Sequence, residues 1–180
     1  MALTATIYNL VTELADVDRG VYETFDLRMG RHPSETQEYL LTRYLAYCLE
    51  YTEGITFATG GVSSADEPAV LVRDPAGRVT AWIEVGMPDA RRLHRGMKLA
   101  GRAAVYTHRH VEKVLEELRA GPIHRAADIP VYAFDRDFID SAAAAIGRRA
   151  VVAVSITERQ LYLDIDGRHF GSAIVAHRIA

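Results

Sequence analysis

A mixed α/β fold, a β-sheet flanked by helices with antiparallel strand additions at both ends of the chain, is what this sequence predicts. Three observations carry it. Period-two runs and helical stripes alternate along the chain without an internal repeat. The succession strand, helix, strand from Val79 to Thr107 implies a parallel crossover inside a mixed sheet. A length of 180 residues without a linker-like stretch suits one domain over 1–180.

Each element has its own signal. Thr4–Ala15 alternates in part through Ile7, Leu10, Val11 and Leu14, and Val21–Met29 follows the turn-rich Asp16–Gly20, giving an N-terminal hairpin. Ser34–Glu50 reads as a helix, with Ser34 as N-cap and Gln37 completing a capping box. A short strand at Ile55–Ala58 leads into a flexible loop, TGGVSSADEP. Ala69–Asp74 and Val79–Gly86 form a second hairpin around Asp74-Pro75-Ala76-Gly77. A basic helix at Asp89–Ala100, a strand at Ala103–Thr107 and a helix at His110–Ala120 follow. Val131–Phe134 is the next strand and Asp137–Ile146 the last helix. Strands Ala150–Ile156, Leu161–Ile165 and His169–Val175 close the chain as an antiparallel set.

Composition narrows the function. A formal net charge of −3 gives no broad steering toward a polyanion, so contact with nucleic acid has to come from a local basic patch. The single cysteine, Cys48, excludes an internal disulfide and fits a reducing compartment. No uncharged apolar run approaches the ~20 residues of a membrane helix, and the first residues do not read as a signal peptide. A soluble, cytoplasmic protein without a membrane partner is expected, its oligomeric state unreadable.

The chemistry is suggested by acids at inward positions. On a helical wheel Leu41, Tyr44, Leu45 and Cys48 form a buried stripe, with Ser34, Gln37 and Glu38 within it or at its edge and Glu35 well off it toward solvent. A buried carboxylate is costly unless paired, hydrogen-bonded or metal-bound. In the second hairpin, setting Asp74 opposite Gly77 sorts Val70, Val72, Val79, Ala81, Ile83 and Val85 onto one face and puts Glu67 opposite Glu84. A three-residue loop with a left-handed glycine would instead make Asp66 the diagonal neighbour of Glu84. Burial favours the first register. Either way an acid of the Asp66-Glu67 pair and Glu84 share one face of adjacent strands. Mg²⁺ or Mn²⁺ would offset their repulsion, and so would Arg73 or an arginine of the basic helix. On that helix Leu93, Met97 and Ala100 mark the buried stripe, Arg91, Arg95 and Lys98 face outward, and Arg92 at the flank can reach the sheet. His108-x-His110 reads as loop, Asp164-x-Asp166-Gly167 as a hairpin turn and Cys48 as inert core.

Several runs resemble the YaeQ family: the start MALTATIY, Arg31–Glu38 (RHPSETQE), Asp66–Pro68, Trp82–Gly86 followed by PDARR, and the AAVYTH strand. The resemblance implies a restriction-endonuclease-like fold, a variant of the PD-(D/E)XK superfamily, in which a helix acid precedes strands carrying Asp and Glu-x-Lys. Carried across, Glu38 is the helix acid, Asp66 or Glu67 the first strand acid and Glu84 the second, with Mg²⁺ or Mn²⁺ on Asp66, Glu67 and Glu84. Phosphate contacts fall to Arg91, Arg92, Arg102, Ser34 and Gln37. Gly86 stands where the motif has lysine; a basic group on the following helix, Arg95 or Lys98, would replace it. Arginine is no base near neutral pH, although it holds phosphate bidentately. Three readings follow: a metal-dependent phosphodiesterase or nuclease, a non-catalytic nucleic-acid- or protein-binding descendant, and a structural domain whose acids pair with Arg31, Arg43 or Arg73.

Overall fold

Alternation dictates the first two elements. Tyr8, Leu10, Thr12 and Leu14 are buried while Asn9, Val11 and Glu13 are exposed, so Thr6–Asp16 (β1) has one wet face. It turns into Val21–Arg31 (β2), paired antiparallel from Asp16↔Val21 to Thr6↔Arg31. The computed structural model describes residues 4–59 and 66–180, so positions 60–65 of the expected loop lie outside the described residues. The chain divides into two compact units, residues 1–41 with 134–174 and residues 42–133 with 175–180.

In the first unit the N-terminal hairpin and the C-terminal strands join in one sheet. Arg149–Thr157 (β8) runs parallel to β1, from Asn9↔Arg149 to Asp16↔Ile156, and Gln160–Ile165 (β9) and Arg168–Ala173 (β10) complete the order β10-β9-β8-β1-β2. The expected antiparallel set of three is present, but its last strand stops at Ala173 rather than Val175. The turn between β9 and β10 forms where expected, with Asp164 accepting from the Gly167 N–H. Arg136–Ala145 (α4) is capped by Asp135 and buries Phe138, Ile139, Ala142 and Ala143.

Gln37–Leu49 (α1) starts in the first unit and continues in the second. Its cap corrects the sequence reading: Thr36, not Ser34, accepts from the Tyr39 N–H, and Ser34 is exposed beside His32. Glu35, expected toward solvent, is buried. The wheel fails there because Glu35 precedes the helix; its carboxylate accepts from the His32 N–H and its carbonyl from Arg31. Leu41, Tyr44, Leu45 and Cys48 are buried as predicted, and so are Leu40, Thr42, Arg43 and Ala46 beyond the stripe.

The second unit carries a six-stranded sheet: Ile55–Phe57 (β3), Val70–Arg73 (β4), Val79–Val85 (β5), Ala103–Thr107 (β6), Pro130–Ala133 (β7) and Val175–Arg178 (β11), in the order β11-β7-β6-β5-β4-β3. β5, β6 and β7 are parallel, so the predicted crossover is present. Ala90–Ala100 (α2) and Val111–Arg119 (α3) bury Leu93, Met97, Val114, Leu115 and Leu118 with Trp82, Val105 and Val131. On the other face the C-terminal part of α1 serves the same sheet: Tyr47 packs on Phe57 at 4.9 Å, and Arg43 lies over that ring.

The second hairpin corrects the preferred register and keeps the alternative one only beside the turn. Next to the turn the Asp74 backbone N–H donates to the Arg78 carbonyl around Pro75-Ala76-Gly77, with Gly77 at φ +84°, as turn chemistry demands. Past an irregularity at Val72/Arg73 the pairs are Val72↔Ala81, Leu71↔Trp82 and Val70↔Ile83. The three-residue turn and the shift at Val72/Arg73 together keep the predicted sorting of most faces while sliding the strands by two residues from the preferred register, so Glu67 does not stand opposite Glu84.

Candidate functional site

Glu84 is the one inward acid of β5. It shares the α2 face of the sheet with Trp82, between the inward-facing Ile83 and Val85 of the other face, and only 4% of it is exposed. Trp82 Nε1 and Arg92 Nε both donate to its Oε1, each at 2.7 Å. Burial pushes the Glu84 carboxyl above the ordinary range, and the Arg92 charge and the two hydrogen bonds pull it part of the way back. Arg92 is placed by α2: Asp89 caps the helix by accepting from the Arg92 N–H, and the flank position turns the side chain to the sheet. Its Nη2 also donates to the Glu67 carbonyl. One guanidinium therefore ties β5 to the segment entering β4.

The neighbouring acids are held apart. The Glu67 carboxylate accepts from Thr59 and pairs with Arg73 at 3.4 Å. Asp66 is 90% exposed at its side chain and pairs with Arg95 Nη2 at 3.2 Å. Arg91, Arg95 and Lys98 form the exposed face of α2, as the periodicity predicted. Glu38 sits half-buried in the first turn of α1 and belongs to the first unit; Gln37 there takes the Tyr8 hydroxyl at 2.8 Å. Among the described residues no group of three or more His, Cys, Asp or Glu side chains could hold a metal ion. As placed, the Glu84, Glu67 and Asp66 carboxylates point to three different basic partners and do not fit Mg²⁺ or Mn²⁺.

Arg102, read in the sequence as a phosphate contact, has another partner. It reaches Glu50 at 2.5 Å, while the Tyr106 hydroxyl donates to the other Glu50 oxygen at 2.7 Å and the Tyr106 ring lies 4.9 Å from that of Tyr132. Burial, which alone would lower the Arg102 pKa, is outweighed by Glu50, and burial holds the Tyr106 hydroxyl well above its usual range. Sequence reasoning missed Glu50, whose only signal is an acid at the end of a helix predicted to be buried. Glu50→Ala is expected to cost about 2 kcal/mol, because the buried Tyr106 hydroxyl loses its acceptor; Glu50→Gln, which can keep one, should cost less than half of that by urea denaturation. Equal losses would show that the hydroxyl is not the cause.

The family model described as "YaeQ protein" matches residues 1–173. The chain is 30% identical to a protein of Escherichia coli (strain K12) described as "Uncharacterized protein YaeQ", over 92% of each chain. A Salmonella typhi protein of the same description is 40% identical over 60% of this chain and 59% of its own. The crystal structure of the YaeQ protein from Xanthomonas axonopodis pv. citri superposes with a TM-score of 0.88 at 28% identity, covering 97% of this chain and 99% of that one. That from Pseudomonas syringae gives 0.87 at 28%, covering 98% of each. Among the described residues no helix is long and apolar enough to cross a membrane.

Proposed function

The chain belongs to the YaeQ family, and from that premise we propose that its second unit is a PD-(D/E)XK-type phosphodiester site that binds backbone without cleaving it. The order helix, acid-bearing segment before β4, then Glu84 on β5 supports this reading. The observation that carries it is Arg92 on Glu84. A guanidinium that cannot take a proton from water stands against the strand acid, and the motif lysine is Gly86. The outer face of α2, with Arg91, Arg95 and Lys98, then supplies the phosphate grip.

The test is a panel of single-stranded, duplex and structured DNA and RNA with Mg²⁺ or Mn²⁺. No cleavage is expected, with salt-dependent binding that weakens several-fold in Arg91→Glu. Metal-dependent cleavage abolished by Glu84→Ala would overturn the proposal. Mg²⁺ or Mn²⁺ binding at Asp66, Glu67 and Glu84 requires Arg92 to leave Glu84. Calorimetric titration with Mn²⁺ should therefore give little or no heat for the unaltered protein and a measurable site only in Arg92→Ala. Tight binding to the unaltered protein would show that the carboxylates rearrange to meet the metal.

A further inference from the structure

A cleft of about 530 Å³ opens in the second unit beside the arginine face of α2. Its apolar wall is Leu71, Val79, Trp82 and Leu99, and its rim carries Arg73 and Arg78 together with Asp66 and Glu67. Leu71 and Trp82 are buried, so the surface a ligand would touch there comes chiefly from Leu99, 62% exposed, and Val79. The volume lies within the range of small-ligand sites. Asp66 belongs both to this rim and to the α2 face, since Arg95 holds it.

Resting on the phosphodiester reading above, we infer that this cleft takes one unpaired base of a single strand whose backbone lies along α2. An apolar wall receives the face of a base. Carboxylates on the rim accept hydrogen from an exocyclic amine, as Asp and Glu do for cytosine N4. The exposed Arg78 guanidinium, 81% accessible, is free to reach a neighbouring phosphate by leaving Asp74, an ion pair that solvent already weakens. A base inside a duplex is stacked and cannot enter, so the site selects single strands or frayed ends.

Three probes separate the outcomes: a labelled single-stranded oligo-dC, the same sequence as duplex, and cytidine monophosphate followed by thermal shift. Each is run on the unaltered protein, on Leu99→Asp and on the milder Leu99→Ser; Leu99 is exposed, so melting without ligand serves as the folding control. The single strand should bind more tightly than the duplex, and Leu99→Asp should weaken it about tenfold while leaving duplex affinity within about twofold. Leu99→Ser should weaken it less. Equal affinity for both forms, unmoved by Leu99→Asp, would overturn the base cleft and leave the backbone reading intact. Stabilisation by the mononucleotide, lost in Leu99→Asp, with no oligonucleotide bound would support the cleft and overturn the backbone reading. Silence from all three probes would overturn both.

Discussion

Arg92→Ala is expected to lose about 3 kcal/mol of stability at pH 8, because it leaves the buried Glu84 carboxylate with one donor, Trp82, and no charge partner. The pH dependence identifies the cause. Glu84 has a folded-state pKa raised above its unfolded value, so the native state holds the proton more firmly and stability falls as pH rises from the unfolded pKa through the folded one. Removing Arg92 takes away the opposing charge and moves the folded pKa further up. The loss should therefore be largest above that pKa and shrink steadily as the pH is lowered and the carboxyl becomes neutral. Chemical denaturation of both proteins between pH 5 and 8 measures it. A loss that is the same at both ends would place the effect in packing of the arginine stem rather than in the uncompensated charge. Glu84→Gln in the Arg92→Ala background should restore most of the stability, since the amide needs no counter-charge.

Gly96→Ala is expected to cost about 3 kcal/mol, at the upper end of overpacking, although alanine is the better helix former by about 1 kcal/mol. A Cβ at Gly96 would lie 2.3 Å from Trp82 Cγ and 2.4 Å from Cδ1 and Cδ2. Trp82 is 1% exposed, among the largest fully buried side chains, and its indole N–H is committed to Glu84, so the ring cannot step aside without breaking that bond. Gly101 is the internal comparison. It caps the same helix at φ +77° with open space around it, so Gly101→Ala should cost only the left-handed strain, about 1 kcal/mol. Equal losses at the two positions would show that α2 shifts to admit the methyl.

What the sequence made legible is what burial dictates. Leu93 and Met97 face in, Arg91, Arg95 and Lys98 face out and Arg92 turns to the sheet because helical periodicity leaves them no alternative. The sorting of most hairpin faces survived for the same reason, whereas the preferred register did not, since the three-residue turn and the shift at Val72/Arg73 preserve the faces and still slide the partners. Glu35 and Glu50 were misplaced or overlooked because each lies just outside the helix, where a wheel carries no information. The partition into two sheets was hidden too. Nothing local in Val175–Arg178 says that it pairs with β7 instead of continuing β10, or that β8 lies beside β1. Of the candidate site, Glu84 with a partner from the basic helix was readable; the divergence of Asp66 and Glu67 was not, because it depends on where Thr59, Arg73 and Arg95 come to rest.

The pairing of β1 with β8 also has a consequence for how the molecule is made. The first hairpin is made before β8, and Asn9 waits for Arg149, so the long stretch of chain between them must be synthesised before that edge of β1 finds its neighbour. Until then a long strand with Tyr8, Leu10 and Leu14 on one side exposes an unpaired row of amides, the kind of template on which nascent chains associate. Closing so distant a parallel contact is slow. Refolding from denaturant should therefore be limited by assembly of this sheet and grow less efficient as protein concentration rises, whereas a chain rearranged so that β8 is synthesised next to β1 would escape much of that competition.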